Sequence, residues 1–255
     1  MRKASQAGSF YPAEVNDLVL SVDSFLACKN EFDSIPKALI VPHAGYIYSG
    51  KTAGKAYSLL KNSKIKRIII LGPAHRISLK GITLCESTSF ETPLGSVPVD
   101  RELQEKALTL PFVSVLEQAH LEEHCIEVQL PFLQRISSEF SILPALVGRA
   151  EPFEVLQFLE ELRDSADLII VSSDLSHYNS CERAKAFDGE LAKSIKILNA
   201  NSILPEQACG HTAIKGLLLY ARKYDLYPEI IDMCNSCDTN SDTSRVVGYG
   251  SFAFF

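Results

Sequence analysis

Short runs of Ile, Leu and Val alternate with longer amphipathic stretches along most of this 255-residue chain. The first unit predicts a strand at 38–42, a helix at 49–61 and a second strand at 67–71. Strands that alternate with helices need crossover connections, which favour a mostly parallel sheet covered by helices on both faces. The Pro and Gly residues are dispersed along the chain, and no linker interrupts the pattern. The sequence therefore predicts a single α/β domain over residues 1–255.

Later segments continue the alternation. A hairpin is predicted at 82–99, a helix begins at Asp100, and another helix runs from near Glu122 towards Ser138, with Pro131 as a break or kink. The remaining predicted elements are strand 141–147, helix 151–163, strand 167–172, helix 182–198, helix 210–223, a strand near 228–233 and a final strand at 245–255.

Composition and charge argue against several classes of protein. No apolar run approaches the roughly 18 residues of a membrane span, and no apolar segment of a signal peptide follows the basic N-terminal residues. The net charge of −6 disfavours a nucleic-acid surface, which needs clustered Lys and Arg. Seven scattered cysteines, an odd number, fit a reducing cytoplasm better than a disulfide framework. We therefore expect a cytoplasmic protein that binds neither membranes nor nucleic acid.

Three of the six histidines follow predicted strands at comparable positions, namely His43, His75 and His177. Ligands of open α/β sheets bind beyond the carboxyl ends of the strands, and histidine is the commonest metal-ligating side chain. A single turn histidine is better explained by a hydrogen bond to a carbonyl group than by metal binding. The repetition at His43 and His75, one crossover apart, favours two ligands that share a metal ion.

Two further segments carry groups that suit such a site. Asp174 lies three residues before His177, where it either orients that ring or caps the turn. On the predicted helix, His124 and Glu127 share a face directed at the cleft. His120 has the spacing of a helical histidine pair with His124, but His-Leu-Glu-Glu-His differs from the HExxH motif of zinc proteases.

The cysteines allow more than one interpretation. Cys234 and Cys237 form a lone CxxC, which is weak evidence for structural zinc, and Cys234 is read as a small buried hydrophobe. Cys237 can reach the histidines if the last segment crosses the end of the sheet. A disulfide between Cys234 and Cys237 would then remove a metal ligand. Cys209 precedes a glycine at a predicted helix start, and we assign it no role.

Six short segments, spread from residue 8 towards the end of the chain, form a specific combination. They are Gly8-Ser9-Phe10-Tyr11-Pro12, Pro42-His43-Ala44-Gly45-Tyr46, Leu71-Gly72-Pro73-Ala74-His75, Glu123-His124-Cys125-Ile126-Glu127, Ser172-Ser173-Asp174-Leu175-Ser176-His177, and Cys237 with Asp242-Thr243-Ser244. In this order they resemble the Memo family, whose microbial members are labelled AmmeMemoRadiSam system protein B. The resemblance covers essentially the whole chain.

The resemblance implies a fold similar to the class III extradiol (LigB-type) non-haem iron dioxygenases, with a metal ion in the corresponding cleft. It also implies a functional link to a radical-SAM protein and to an AMMECR1-like protein. The residues that match metal-binding positions of the family are His43, His75, His177 and Cys237. Asp174 matches the acid before the third histidine, and His124 matches a cleft histidine that acts as an acid or a base.

The leading hypothesis is a non-haem iron or copper oxidoreductase, dioxygenase-like, that acts with O₂ on a small-molecule or peptide ligand. Histidine and thiolate ligands suit iron(II), copper or zinc. His124 would handle protons, His177 would be a ligand or a general base, and Asp174 would orient His177. A second hypothesis is a non-catalytic module that binds phosphorylated or anionic peptides in the histidine cleft. A third is a zinc-dependent hydrolase.

Overall fold

Ile- and Val-rich runs form the strands of a central sheet. The computed structural model describes residues 1–28, 32, 34–238 and 243–255. The strands are β1 Ala38–Val41, β2 Arg67–Pro73, β3 Ile82–Leu84, β4 Ser89–Thr92, β5 Gly95–Pro98, β6 Val113–Val115, β7 Ser141–Val147, β8 Leu168–Ser172, β9 His177–Asn179, β10 Pro228–Asn235 and β11 Val246–Phe254. The α-helices are α1 Val15–Leu26, α2 Tyr46–Ser58, α3 Arg101–Ala107, α4 Glu117–Leu121, α5 His124–Glu127, α6 Leu130–Ile136, α7 Pro152–Leu162, α8 Cys181–Lys196 and α9 His211–Lys223.

The sheet has a parallel centre and antiparallel edges. Its strand order is β10-β11-β1-β8-β2-β7-β3-β6, with β9 paired to β11, while β4 and β5 form a separate hairpin. The strands β1, β8, β2 and β7 run parallel to one another. Antiparallel pairing joins β11 to β1 and β10, and joins β3 to β7. The predicted single-domain α/β fold with a mostly parallel sheet is confirmed.

Both faces of the central strands are buried. Along β2, Ile69 and Leu71 pack into one apolar core, whereas Ile68 and Ile70 pack into the other, as the two-residue period of a strand requires. The first core is covered by α3, α7, α8 and α9, and the second by α1, α2 and α6. Among the helices of the described residues, none combines a bilayer-spanning length with a sufficiently apolar composition.

The prediction of one helix from Glu122 towards Ser138 is wrong, because two short helices (α5 and α6) occupy this region. The backbone is extended at Glu123, with φ −76° and ψ 130°, where the carboxylate caps the first N–H groups of α5. Pro131 lies in the first turn of α6, where its missing N–H costs no helical hydrogen bond. The break at Glu123 directs His124 towards the carboxyl ends of the strands.

A buried ion pair attaches the N-terminal segment to this region. The side chains of Arg2 and Glu127 are 1% and 0% exposed, and their Nη1 and Oε2 atoms are 2.5 Å apart. Arg2 also donates to the carbonyl oxygens of His120 and Glu123. Further donors to the Glu127 carboxylate are the backbone N–H groups of Ser5 and Gln6 and the hydroxyl of Tyr11. Glu127 is therefore directed at the N-terminal segment, and its expected position facing the cleft is wrong.

Replacement of Glu127 by Ala should lower the free energy of unfolding by about 3–5 kcal/mol, since it leaves the Arg2 guanidinium buried without its counter-ion. Denaturant unfolding of purified protein measures this difference. The control is Asp23→Ala, which removes an exposed ion pair with Arg135 and should cost less than about 1 kcal/mol. Equal losses in the two variants would contradict a special role for the buried pair.

Candidate metal centre

Two strand-end histidines converge over a third strand. His43 lies two residues beyond β1 and His75 two residues beyond β2, as the sequence predicts. The two strands are not neighbours, because β8 lies between them. Their side chains lean across the end of β8, so that the ring centroids are 5.1 Å apart.

His124 at the start of α5 completes a group of three. Its ring centroid is 4.5 Å from that of His75 and 5.1 Å from that of His43. Each of the three offers a ring nitrogen within 4.8 Å of those of the other two. We call His43, His75 and His124 the histidine cluster. Three convergent imidazole nitrogens form a candidate metal site.

Hydrogen bonding fixes the tautomer of His43. The hydroxyl of Ser172, the last residue of β8, lies 2.9 Å from His43 Nδ1. The same hydroxyl donates its single proton to the carbonyl oxygen of Cys125 and accepts from Gln129 Nε2. Ser172 must therefore accept from His43 Nδ1–H, which leaves the lone pair on Nε2.

A carboxylate orients His75 in the same way. Glu123 Oε1 lies 2.9 Å from His75 Nδ1, and Oε2 accepts the His75 backbone N–H at 2.7 Å. The carboxylate accepts the Nδ1 proton, so the Nε2 lone pair of His75 is directed into the cluster. The side chain of His75 is 30% exposed, which makes it the solvent-facing member of the cluster.

Glu123 is ionised in this environment. Burial by itself raises the pKa of the carboxyl group, but the rings of His124 and His75 outweigh burial and hold the pKa well below its usual range. The carboxylate also accepts the backbone N–H groups of His124 and Cys125. The sequence assigns no role to Glu123, because glutamate is not among the residue types preferred at helix N-caps.

The donor set fits a transition-metal ion. Burial lowers the pKa of His43 well below its usual value, and the rings of His124 and His75 lower it further. His43 is therefore neutral near pH 7, which is the state that binds metal. The Nδ1 atom of His124 is buried, without a hydrogen-bond partner, and 3.1 Å from Glu123 Oε1. A neutral imidazole at His43 beside one ionised carboxylate suits a divalent cation.

The N-terminal segment forms one wall of the cluster. The ring of Phe10 stacks on that of His124, with centroids 4.5 Å apart and an interplanar angle of 27°. Tyr46, in the first turn of α2, donates its backbone N–H to the carbonyl oxygen of Phe10. The motif that contains Phe10 thus contributes an apolar surface against one of the candidate ligands.

Asp174 and His177 occupy the edge of the cluster. Asp174 Oδ1 accepts the backbone N–H groups of His43 and Ala44 at 2.7 and 3.2 Å, so it positions the turn that carries His43. His177 begins β9, and its charge lowers the pKa of His43. The third member of the histidine cluster is His124, whereas the resemblance implied His177 as the third histidine ligand.

Cys237 is not part of the histidine cluster. It forms a disulfide with Cys181, the first residue of α8, with the two Cα atoms 6.5 Å apart. With its sulfur bonded to Cys181, Cys237 offers no free thiolate in this structure, and the ligand role that the resemblance implies for it stays a prediction. Cys234 is a free thiol 3.0 Å from Thr52 Oγ1. Asp242, which belongs to the same predicted motif, lies outside the described residues.

His120 is also separate from the cluster. Its ring is buried, and its Nε2 atom lies 3.0 Å from the carbonyl oxygen of Thr83 on β3. A break between α4 and α5 separates His120 from His124, so the two do not form a helical pair. The four-residue spacing predicts this pair only if His120 and His124 belong to one continuous helix.

Cys209, to which the sequence assigns no role, contacts the cluster. Its Sγ atom lies 3.3 Å from His43 Nε2 and 3.7 Å from the carbonyl oxygen of Asp174. Burial raises the pKa of this thiol to about 12. The protonated thiol donates to His43 Nε2, which carries the lone pair. The sequence gives no local signal for this contact, since the two partners are 166 positions apart in the chain.

Comparisons with known proteins give a consistent result. A family model described as Memo-like protein matches residues 2–253. A MEMO1 family protein of Aquifex aeolicus is 38% identical over 271 aligned positions, covering 100% of this chain and 99% of that protein. A MEMO1 family protein of Thermoplasma volcanium is 34% identical and covers 98% of this chain and 97% of its own length.

A solved structure shares the fold. The crystal structure of an uncharacterized protein from Escherichia coli K12 superposes with a TM-score of 0.56 and 12% sequence identity. The match covers 86% of this chain and 100% of that chain. At this identity the likeness supports the architecture of the sheet and helices.

Replacement of either His43 or His75 by Ala should abolish stoichiometric metal binding while the fold persists, because two imidazoles cannot supply the three-nitrogen set. Elemental analysis after metal loading, together with circular dichroism, measures both properties. The control is His211→Ala, which removes a histidine at the start of α9 outside the cluster. Full metal content in both cluster variants would refute the assignment.

The Glu123→Gln variant should bind metal about 10- to 100-fold more weakly, since the amide orients His75 without the negative charge. Competition titration against a chelator gives the dissociation constants. Glu117→Gln, at a carboxylate that binds the Glu86–Ser87 turn, is the matched control and should leave the affinity unchanged. Equal affinities of wild type and Glu123→Gln would contradict the orienting role.

Proposed function

Because the chain belongs to the Memo-like protein family, we propose that it is a metal-binding redox protein, a non-haem iron or copper oxidoreductase of a small-molecule or peptide substrate. The observation that carries this proposal is the convergence of three imidazoles, two of them with a hydrogen-bond partner that leaves Nε2 free. Such orienting partners accompany metal-ligating histidines in general, and removing them weakens metal binding.

The number of protein ligands supports a catalytic site. Three imidazoles leave at least one coordination position open, as catalytic metal sites require. The cluster is reachable from solvent through the half-buried side of His75. A redox-active ion bound there would supply electron transfer between the substrate and O₂. The protein residues would bind the substrate, orient it against the ring of Phe10 and exclude water from the buried side of His43.

His177 is the proposed proton-handling residue. It lies at the edge of the cluster, where its charge affects His43, and its side chain is half-buried at the start of β9. The position at a strand end, outside the three-nitrogen set, leaves its ring available to take or give a proton at the substrate. Asp174 supports the site because its carboxylate accepts the backbone N–H of His43 and so fixes the turn that carries this residue.

A zinc-dependent hydrolase is the second candidate, and the donor set itself favours it. Three histidines with an open position are one of the ligand sets of catalytic zinc. In that case the ion would lower the pKa of a water molecule, and no electron transfer would be needed. The phosphopeptide-binding alternative has less support, because the ionised Glu123 carboxylate would repel a phosphate group in the cluster.

Protein purified without oxygen should contain near-stoichiometric iron or copper, measured by elemental analysis. After reconstitution, the iron or copper form should consume O₂ with a reducing substrate in an oxygen-electrode assay, and the zinc form should not. Activity that persists with zinc and is indifferent to O₂ would favour the hydrolase instead. A wild-type protein that refuses iron, copper and zinc but binds inorganic phosphate would contradict both metal-dependent functions.

A further inference from the structure

We infer that Gln129 is a positioning residue of the candidate metal centre, an inference that rests on the proposed metal-binding function. Gln129 lies between α5 and α6, and its side chain is completely buried. Its amide is hydrogen-bonded to groups from three other parts of the fold, namely the turn after β1, the end of β8 and helix α2. Two of these groups determine how His43 is presented, so Gln129 acts on this ring through its partners.

The partners of the Gln129 amide fix its orientation. Nε2 lies 3.0 Å from the carbonyl oxygen of Pro42, which can only accept a hydrogen bond, so the nitrogen must be on this side. The second Nε2 proton goes to Ser172 Oγ at 2.9 Å. On the other side, the hydroxyl of Tyr57 donates to Oε1 at 2.9 Å. Because burial raises the pKa of Tyr57 well above its usual value, the phenol keeps the proton that it donates.

Both hydrogen bonds from Gln129 Nε2 hold His43. Pro42 directly precedes His43, so the first bond fixes the backbone that leads to this residue. Ser172 accepts the proton of His43 Nδ1, so the second bond fixes the partner of the ring. The Ser172 hydroxyl then uses one lone pair for Gln129, the other for His43, and its proton for the carbonyl oxygen of Cys125 at 2.6 Å. Rotation of this hydroxyl would break a buried hydrogen bond, which is costly.

Loss of the Gln129 amide would release the tautomer of His43. Without the hydrogen bond from Nε2, the Ser172 hydroxyl is free to rotate and to donate its proton to His43 Nδ1. The ring proton would then reside on Nε2, which is the nitrogen that faces the cluster. Molecules in this tautomer cannot bind a metal ion through Nε2, so the apparent affinity falls in proportion to the share of the competent tautomer.

The same hydrogen bonds connect helix α2 to the cluster. Tyr57 lies in the last turn of α2, where its ring stacks on that of Phe132 with centroids 5.0 Å apart. Its hydroxyl is three hydrogen bonds away from His43, through Gln129 and Ser172. Groups in such a buried network support one another, so removal of the Tyr57 hydroxyl should affect His43 through Gln129.

The Gln129→Met variant tests the inference, since it keeps the size of the side chain and removes its hydrogen bonds. Nitrogen-15 NMR of the metal-free protein reports the tautomer of His43, and competition titration against a chelator gives the dissociation constant for Co²⁺. Wild type should show one tautomer, protonated at Nδ1. Gln129→Met should show a mixture of both tautomers and bind Co²⁺ about tenfold more weakly.

The matched control is Gln134→Met on α6. The Gln134 amide likewise joins a hydroxyl group, that of Thr92, to a carbonyl oxygen, that of Gly95, but it does so at the β4–β5 hairpin. This variant should change neither the tautomer of His43 nor the affinity for Co²⁺.

Tyr57→Phe is a milder variant that removes a single hydroxyl group. It should weaken Co²⁺ binding about threefold, as the loss of one hydrogen bond in the network predicts. In the Gln129→Met background it should have no further effect on the affinity, because the two residues act on His43 through the same amide.

A single His43 tautomer and wild-type Co²⁺ affinity in Gln129→Met would overturn the inference and leave the proposed function intact. If Gln129→Met does not fold, Tyr57→Phe decides instead, and an unchanged tautomer and affinity in that variant overturn the inference. If wild type binds no Co²⁺, the metal-binding function itself fails, and the tautomer of His43 in the metal-free variants alone decides whether Gln129 orients this ring.

Discussion

The geometry of the candidate site depends on one buried carboxylate. Glu123 caps the short helix α5, binds the backbone and ring of His75, and lies beside the ring of His124. A carboxylate that is 2% exposed would be strongly destabilising without these hydrogen bonds, because burial removes it from water. The bonds that offset this cost also fix two candidate ligands relative to each other. Glu123 therefore sets both the position of these two histidines and the negative charge beside them.

The strand order of the sheet is the second constraint on the position of the candidate ligands. Because β8 is paired to β1, the hydroxyl of Ser172 at the end of β8 lies beside the ring of His43. One hydroxyl connects His43, Gln129 and the carbonyl oxygen of Cys125, so strand, loop and helix are joined at a single atom. A hydroxyl has one proton to give, and its donation to Cys125 determines which nitrogen of His43 is free. The ligand set is thus held by regular elements rather than by mobile loops.

Local patterns in the sequence predict part of this arrangement. His43 and His75 follow from the strand-end rule, which needs only the apolar runs and the residues after them. Helical periodicity fails around His124, because α5 is a single turn and Glu127 is directed at Arg2. Glu123 has no comparable local signal, because glutamate is not a preferred N-cap residue and its contact with His75 joins positions 48 apart in the chain. Element type was predictable from period and composition, whereas the choice among short helices depended on tertiary contacts.

The cysteines show why the rest could not be predicted. Cys181 and Cys237 are 56 residues apart, and Cys209 and His43 are 166 residues apart, so neither pair has a spacing that a motif can encode. The CxxC drew attention to Cys237 because two cysteines were close in sequence, yet its partner is a cysteine on another helix. Conversely, Cys209 reaches His43 only because Gly210 allows β8 and α9 to approach each other. A glycine whose added Cβ would collide with a neighbouring strand marks a close approach of backbone segments. At such positions, the residue next to the glycine merits as much attention as the glycine.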